Sequence, residues 1–161
     1  MSSKVVLVGK AAAGKDYLRT RYENRGFKFG VSYTTRKPRL KANEKEGVDY
    51  YFIEEEEFLE MIANDRFIEY QQFNGWYYGI TKEEFERCDI LILNAEAVEL
   101  LQEEYRDRCF VIYVDIPIEI RRQRIMERND PDDNYERRIQ ADEDQFRNFS
   151  NYDCRITNSD F

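Results

Sequence analysis

The sequence predicts an α/β protein with a central parallel sheet. Three observations predict it: short, mostly β-branched apolar runs recur, a helical pattern follows each run, and a glycine-bounded loop joins the first run to its helix. The first run, Lys4-Val5-Val6-Leu7-Val8, has almost no polar alternation, as expected of a strand buried on both faces. The loop is followed by a predicted helix over Lys15 to Glu23. Ile90-Leu91-Ile92-Leu93 and Phe110-Val111-Ile112-Tyr113-Val114 repeat the pattern, with helices expected at about 95–105 and 117–128. Pro117 suits the second of these starts, because its fixed φ is preorganised for a first turn.

Between 32 and 82 the pattern changes. Phe67–Phe73 and Trp76–Ile80 are aromatic-rich and flank Asn74-Gly75, a strong signal for a two-residue type I′ hairpin. Thr81 followed by Glu84 has the spacing of a capping box. A small, mostly antiparallel insert within the α/β core is therefore expected. Glu54 to Glu57 admits a cation site, but the better reading is a helix start, with Phe58, Met61 and Ile62 on one face and carboxylates favourably placed at the N-terminus.

The 161 residues suit one domain over 1–161. No run approaches the ~18 apolar residues of a membrane span, and Met1-Ser2-Ser3-Lys4 does not read as a signal peptide, so a soluble, cytoplasmic protein without membrane partners is expected. The chain has no histidine, which excludes imidazole bases and His-ligated metals. Cys88, Cys109 and Cys154 have no metal-type spacing and read as reduced, structural thiols. A formal net charge of −8 argues against binding to a nucleic-acid polymer, though not against small basic pockets. Nothing in the sequence sets the oligomeric state.

Gly9-Lys10-Ala11-Ala12-Ala13-Gly14-Lys15 follows a strand and opens a helix, which is the context a phosphate loop requires. Backbone N–H groups turned inward and the helix N-terminus favour phosphate, and Lys15 reaches its outer oxygens. Asp16 stands where the pattern has a Mg²⁺-ligating hydroxyl, so a carboxylate faces the metal position. Arg36 and Arg39 bracket Pro38 closely enough for bidentate phosphate recognition. Arg121, Arg122, Arg124, Arg128, Arg137 and Arg138 cluster around the polar breaker Asn129–Asn134. On charge alone that cluster is either a solvated face or an anion-binding element.

The chain resembles the guanylate kinase family from about residue 4 to 160. The residues that carry the resemblance are the phosphate loop, Ser32-x-Thr34-Thr35-Arg36-x-Pro38-Arg39, Gly47-x-Asp49-Tyr50-x-Phe52, Phe67-Ile68-Glu69 and Gly75-x-Tyr77-Tyr78-Gly79. It implies a phosphate-loop three-layer fold, with core segments 1–31, 83–120 and 148–161, a monophosphate-binding insert at 32–82 and a helical lid at 121–147. It implies transfer of the γ-phosphoryl of ATP to GMP or dGMP with Mg²⁺. The implied ATP side comprises Gly9, Lys10, Ala11, Ala12, Ala13, Gly14, Lys15, Asp16, Tyr17, Arg124 and Asn158, with Asp16 toward the metal and Lys15, Arg128 and Arg138 catalytic. Asn158 reads equally well as an ordinary turn residue. The implied GMP side comprises Ser32, Arg36, Arg39, Tyr50, Glu69, Tyr78, Ile80, Thr81 and Asn94. Glu69 is chemically apt, because guanine offers N1–H and the 2-amino group side by side and a carboxylate accepts both.

Besides Asp16, three positions depart from the family pattern. Ile80 stands where a hydroxyl would meet the guanine carbonyl, and Ile92 and Asn94 stand where two aspartates are usual. These departures keep two alternatives open: a deoxynucleoside monophosphate kinase of relaxed base selection, and a catalytically weak binding module.

Overall fold

The computed structural model describes residues 3–128 and 135–161; the breaker stretch Asn129–Asn134 and Met1-Ser2 lie outside them. The chain runs β1 (Lys4–Val8), α1 (Lys15–Glu23), β2 (Ser32–Thr34), a short 3-10 turn (Leu40–Ala42), β3 (Tyr50–Phe52), α2 (Glu55–Ala63), β4 (Phe67–Phe73), β5 (Trp76–Thr81) and α3 (Lys82–Arg87). It continues through β6 (Ile90–Ile92), α4 (Ala95–Leu100), α5 (Glu103–Arg106), β7 (Cys109–Val114), α6 (Ile118–Arg128), α7 (Tyr135–Phe146) and β8 (Cys154–Ile156).

Four strands form the core sheet in the order β6-β1-β7-β8, all parallel. Successive residues of these strands alternate between two apolar layers. Val6, Val8, Leu91, Val111 and Tyr113 pack against Phe85, Val98 and Phe146 from α3, α4 and α7. Leu7, Ile90, Ile112 and Val114 pack against Leu18 of α1, with Ile120 of α6 beside them. This double burial is the reason the strands carry continuous apolar runs, and it makes the core three layers deep. Lys4, at the N-terminal end of the central strand β1, is buried, and its ammonium donates to the carbonyls of Glu86 and Cys88. All three cysteines are free thiols, and burial pushes Cys88 and Cys109 up to about 12 and about 11.

A second sheet, ordered β3-β2-β5-β4, is built on the hairpin at Asn74-Gly75, where both residues have positive φ. It is mixed: β2 pairs with β5 antiparallel but with β3 in parallel, because the 35–49 segment joins β2 to β3 in place of a hairpin. Phe58 of α2 stacks on Phe67 and Tyr77 at 4.6 and 5.1 Å and anchors the sheet's outer face. The acidic run starts α2 as expected, and no cluster of metal-ligating groups occurs among the described residues.

Two expectations are corrected. The helix expected over 95–105 is two helices, because Leu101 takes an extended conformation and turns its side chain into the core. The capping box is one-sided: Thr81 Oγ1 accepts from the Glu84 N–H, but the Glu84 carboxylate accepts from Val31 N–H and Arg87 instead of closing the box. No helix among the described residues is long and apolar enough to cross a membrane.

Candidate active site

The glycine-bounded loop leaves β1 at its C-terminal end, where ligands of parallel α/β sheets bind. A Cβ on Gly9 would lie 2.7 Å from the Val114 carbonyl, so only glycine passes that strand end. Gly14 has φ 102° and caps α1 without a side-chain bond, leaving the first-turn N–H groups of α1 facing the cleft. Lys15 is folded back over the loop and donates to the carbonyls of Gly9 and Lys10. Burial pulls its ammonium down to about 8, against the partly compensating charges of Asp142 and Asp16.

An open cleft of ≈ 1210 Å³ runs from this loop across to the second sheet. Its loop end is lined by Gly9, Ala11, Ala12, Ala13, Gly14, Lys15, Asp16 and Tyr17, with Arg124 and Arg128 of α6 and Arg138 of α7. Arg124 Nη1 donates to the Ala12 carbonyl at 2.9 Å, tying α6 to the loop. The Lys10 side chain turns away from the cleft to Glu143 at 3.0 Å, and Glu143 also faces the buried Arg121 at 3.7 Å.

The far end is lined by Ser32, Arg36, Arg39, Tyr50, Glu69, Tyr78 and Asn94, with Ile92. The Arg36 guanidinium lies 5.3 Å from the Tyr50 ring centroid and forks onto Glu44 at 2.8 and 3.0 Å. The Tyr50 and Tyr78 rings meet edge to face at 6.1 Å, and burial pushes the Tyr50 phenol up to about 12. Glu69 is 6% exposed, and its Oε2 has no hydrogen-bond partner. Burial pushes its carboxyl up to about 8. A buried carboxylate aimed into a cleft with an unpartnered oxygen is costly unless a ligand supplies donors.

Besides Lys10, three expected site residues do not reach the cleft wall. Ile80 is fully buried and packs into the core with Val6, Ile68 and Phe85. Thr81 is 1% exposed and its hydroxyl is spent on the α3 cap. Asn158 sits in a local turn, its Oδ1 accepting from the Asp160 N–H at 2.8 Å, while neighbouring Ser159 and Phe161 face the cleft. For Ile80 the physical consequence is direct. Ile80→Ser, the change that would restore a hydroxyl, removes core packing, and we expect it to cost roughly 2–4 kcal/mol in urea unfolding. An unchanged unfolding midpoint would place Ile80 outside the core.

Among the cleft residues that the sequence did not single out are Glu44, Gln71 and Asp142. Glu44 occupies the Arg36 fork and accepts the Arg39 N–H at 2.7 Å; Asp142 accepts the Ala11 N–H at 2.8 Å. Internal carboxylates thus sit on donors at both ends that a phosphate would seek. Only Gln71 left a trace in the sequence, as the next same-face residue after Glu69 on a strand.

The sequence pattern of the family described as guanylate kinase matches residues 1–161. The chain belongs to the guanylate kinase family. It is similar to the guanylate kinase of Latilactobacillus sakei subsp. sakei, 34% identical over 97% of this chain and 81% of that protein. The guanylate kinase of Carboxydothermus hydrogenoformans is 32% identical over 97% of this chain and 80% of its own. The crystal structure of guanylate kinase from Anaplasma phagocytophilum superposes with a TM-score of 0.72 at 24% identity, over 99% of this chain and 78% of that one. That likeness establishes a common fold.

Proposed function

We propose that the chain transfers the γ-phosphoryl group of ATP to GMP or dGMP. The observation that carries this reading is one continuous cleft with a half-buried lysine on a phosphate loop at one end and a buried carboxylate with one unpartnered oxygen at the other. Adenine lacks the paired donors that Glu69 needs, so the carboxylate favours guanine. Arg36, Arg39, Tyr50 and Tyr78 would hold the monophosphate, and Ser32 would stand beside the base. The loop N–H groups of 9–16 and Arg124 would hold the phosphates of ATP, with Tyr17 at their edge. Segment 32–82 serves in this reading as the monophosphate-binding insert and 121–147 as the lid. The same reading assigns the chain to cytoplasmic purine nucleotide metabolism.

Phosphoryl transfer asks little covalent chemistry of a protein, so catalysis rests on positioning and charge. Lys15 would unfold from the Gly9 and Lys10 carbonyls toward the transferring group, while Arg128 and Arg138 approach from the lid side of the cleft. Binding requires Glu44 and Asp142 to yield the Arg36 fork and the Ala11 N–H, since phosphate and carboxylate compete for the same donors. Mg²⁺ is bound in such sites through one or two carboxylates plus phosphates and water, and Asp16, exposed on the cleft wall in the first turn of α1, fits that donor set. When bound, the ion would neutralise charge on the outer phosphates.

The test is product formation from ATP and Mg²⁺ with each common ribo- and deoxynucleoside monophosphate, separated by chromatography. Diphosphate from GMP and dGMP alone is the expected result. Diphosphate from several bases would replace this reading with a relaxed kinase. Binding of GMP without product would make the chain a binding module.

A further inference from the structure

Glu69 is not the only unsatisfied acceptor in the guanine end of the cleft. Gln71 is 7% exposed, lies on the same face of β4 two residues further on, and lines the same cleft. Its Oε1 is buried and has no hydrogen-bond partner. Its Nε2 donates to Asn94 Oδ1 at 2.7 Å. That same Asn94 oxygen accepts the Ala97 N–H at 2.8 Å as the cap of α4. A backbone N–H fixes the Asn94 atom as oxygen, so the Gln71 atom facing it is the amide nitrogen. The Gln71 oxygen is thereby turned away from Asn94 and left for something else.

Guanine supplies the missing partner. Its N1–H and 2-amino group together carry three hydrogens. A carboxylate in the plane of the base accepts N1–H and one amino hydrogen, and the second amino hydrogen is left unpaired. Residues two apart on a strand stand about 7 Å apart on one face, close enough for one base edge to meet both side chains. We propose that Gln71 is a specificity-determining residue that accepts this remaining amino hydrogen, and that Asn94 acts through it as a positioning residue. This rests on the guanylate kinase reading of the same site. It also gives Asn94 a role other than direct contact with GMP, because its oxygen is already spent twice over.

The test compares GMP with its 2-deamino analogue, inosine monophosphate, in the intact enzyme. The ratio of the two kcat/KM values is taken within one preparation, so a partly unfolded variant still reports it. Gln71→Met keeps the length of the side chain and removes the acceptor. The ratio should fall about 10-fold or more, through GMP alone, while inosine monophosphate and the KM for ATP hold. Asn94→Ala, which frees the amide to turn, should lower the ratio likewise. Asn94→Asp keeps an acceptor for both Ala97 and Gln71 and should restore it. An unchanged ratio in Gln71→Met, or parallel loss of both substrates, overturns the role of Gln71. An unchanged ratio in Asn94→Ala overturns its positioning role. If wild-type protein binds GMP without phosphorylating it, the kinase reading fails alone, and calorimetric affinities for the two monophosphates then decide Gln71. If it binds neither, both readings fall.

Discussion

Lys15→Met should cut kcat by at least about 10³-fold while leaving the KM for GMP nearly unchanged, because the charge it removes lies at the opposite end of the cleft from the guanine site. The same substitution should stabilise the nucleotide-free protein. Burial lowers the Lys15 ammonium from 10.5 to about 8. Between those two values the unfolded chain holds a proton that the folded one has lost, so stability climbs as pH rises through that window. Below pH 8 the full penalty of burying the charge applies. Methionine fills the space and carries no charge, at the loss of two hydrogen bonds to loop carbonyls. A net gain of about 1–2 kcal/mol near neutral pH follows, read as a higher Tm without nucleotide. Added ATP should then raise the Tm of the wild type more than that of the variant, since the phosphates relieve the buried charge only where it exists. Wild-type turnover in the variant would remove Lys15 from the chemistry. A lower Tm would show that its bonds to Gly9 and Lys10 outweigh its burial.

This opposition between stability and function explains what could be read from the sequence. The core strands were legible because double burial forces continuous apolar runs, as in β1 and β7. The loop was legible because glycine is required where Gly9 passes Val114 and where Gly14 takes a positive φ. The hairpin was legible in Asn74-Gly75 for the same backbone reason. Tertiary context was not. Nothing local in 95–105 says that Leu101 will leave the helix to join the core, and nothing in β2 or β3 says that they pair in parallel. The cleft divides in the same way. Most of the expected residues line its wall, since each was tied to a motif with a fixed place on a strand end or loop. Glu44 and Asp142 were invisible, because a glutamate in a polar loop and an aspartate on a charged helix look like solvated surface until folding sets them against Arg36 and Ala11. Ile80 was legible only as a missing donor; its burial shows that the position has become part of the core.

Glu69→Gln should weaken GMP binding by roughly 1–3 kcal/mol, because the amide turns a donor toward the donors of guanine. It should also abolish a pH dependence that the wild type must show. Burial raises the Glu69 carboxyl from 4.5 to about 8, and only the ionised form accepts both guanine donors. The kcat/KM for GMP should therefore rise with pH up to about 8 and level off, reporting the free enzyme, whereas kcat, measured on the loaded site, should not carry that step. Stability runs the other way. Between 4.5 and about 8 the unfolded chain has lost a proton that the folded chain keeps, so the nucleotide-free protein weakens as pH rises through that window. The penalty is complete above it. Removing the carboxylate should thus raise the Tm at neutral pH by the equivalent of about 1–3 kcal/mol, while lowering affinity for the substrate. These signs are opposite for binding and folding, and a residue retained only to hold the fold together would not produce both. A kcat/KM that stays flat from about pH 6 to about pH 9 would mean that Glu69 is already ionised in the free enzyme, with water reaching the oxygen that has no partner here.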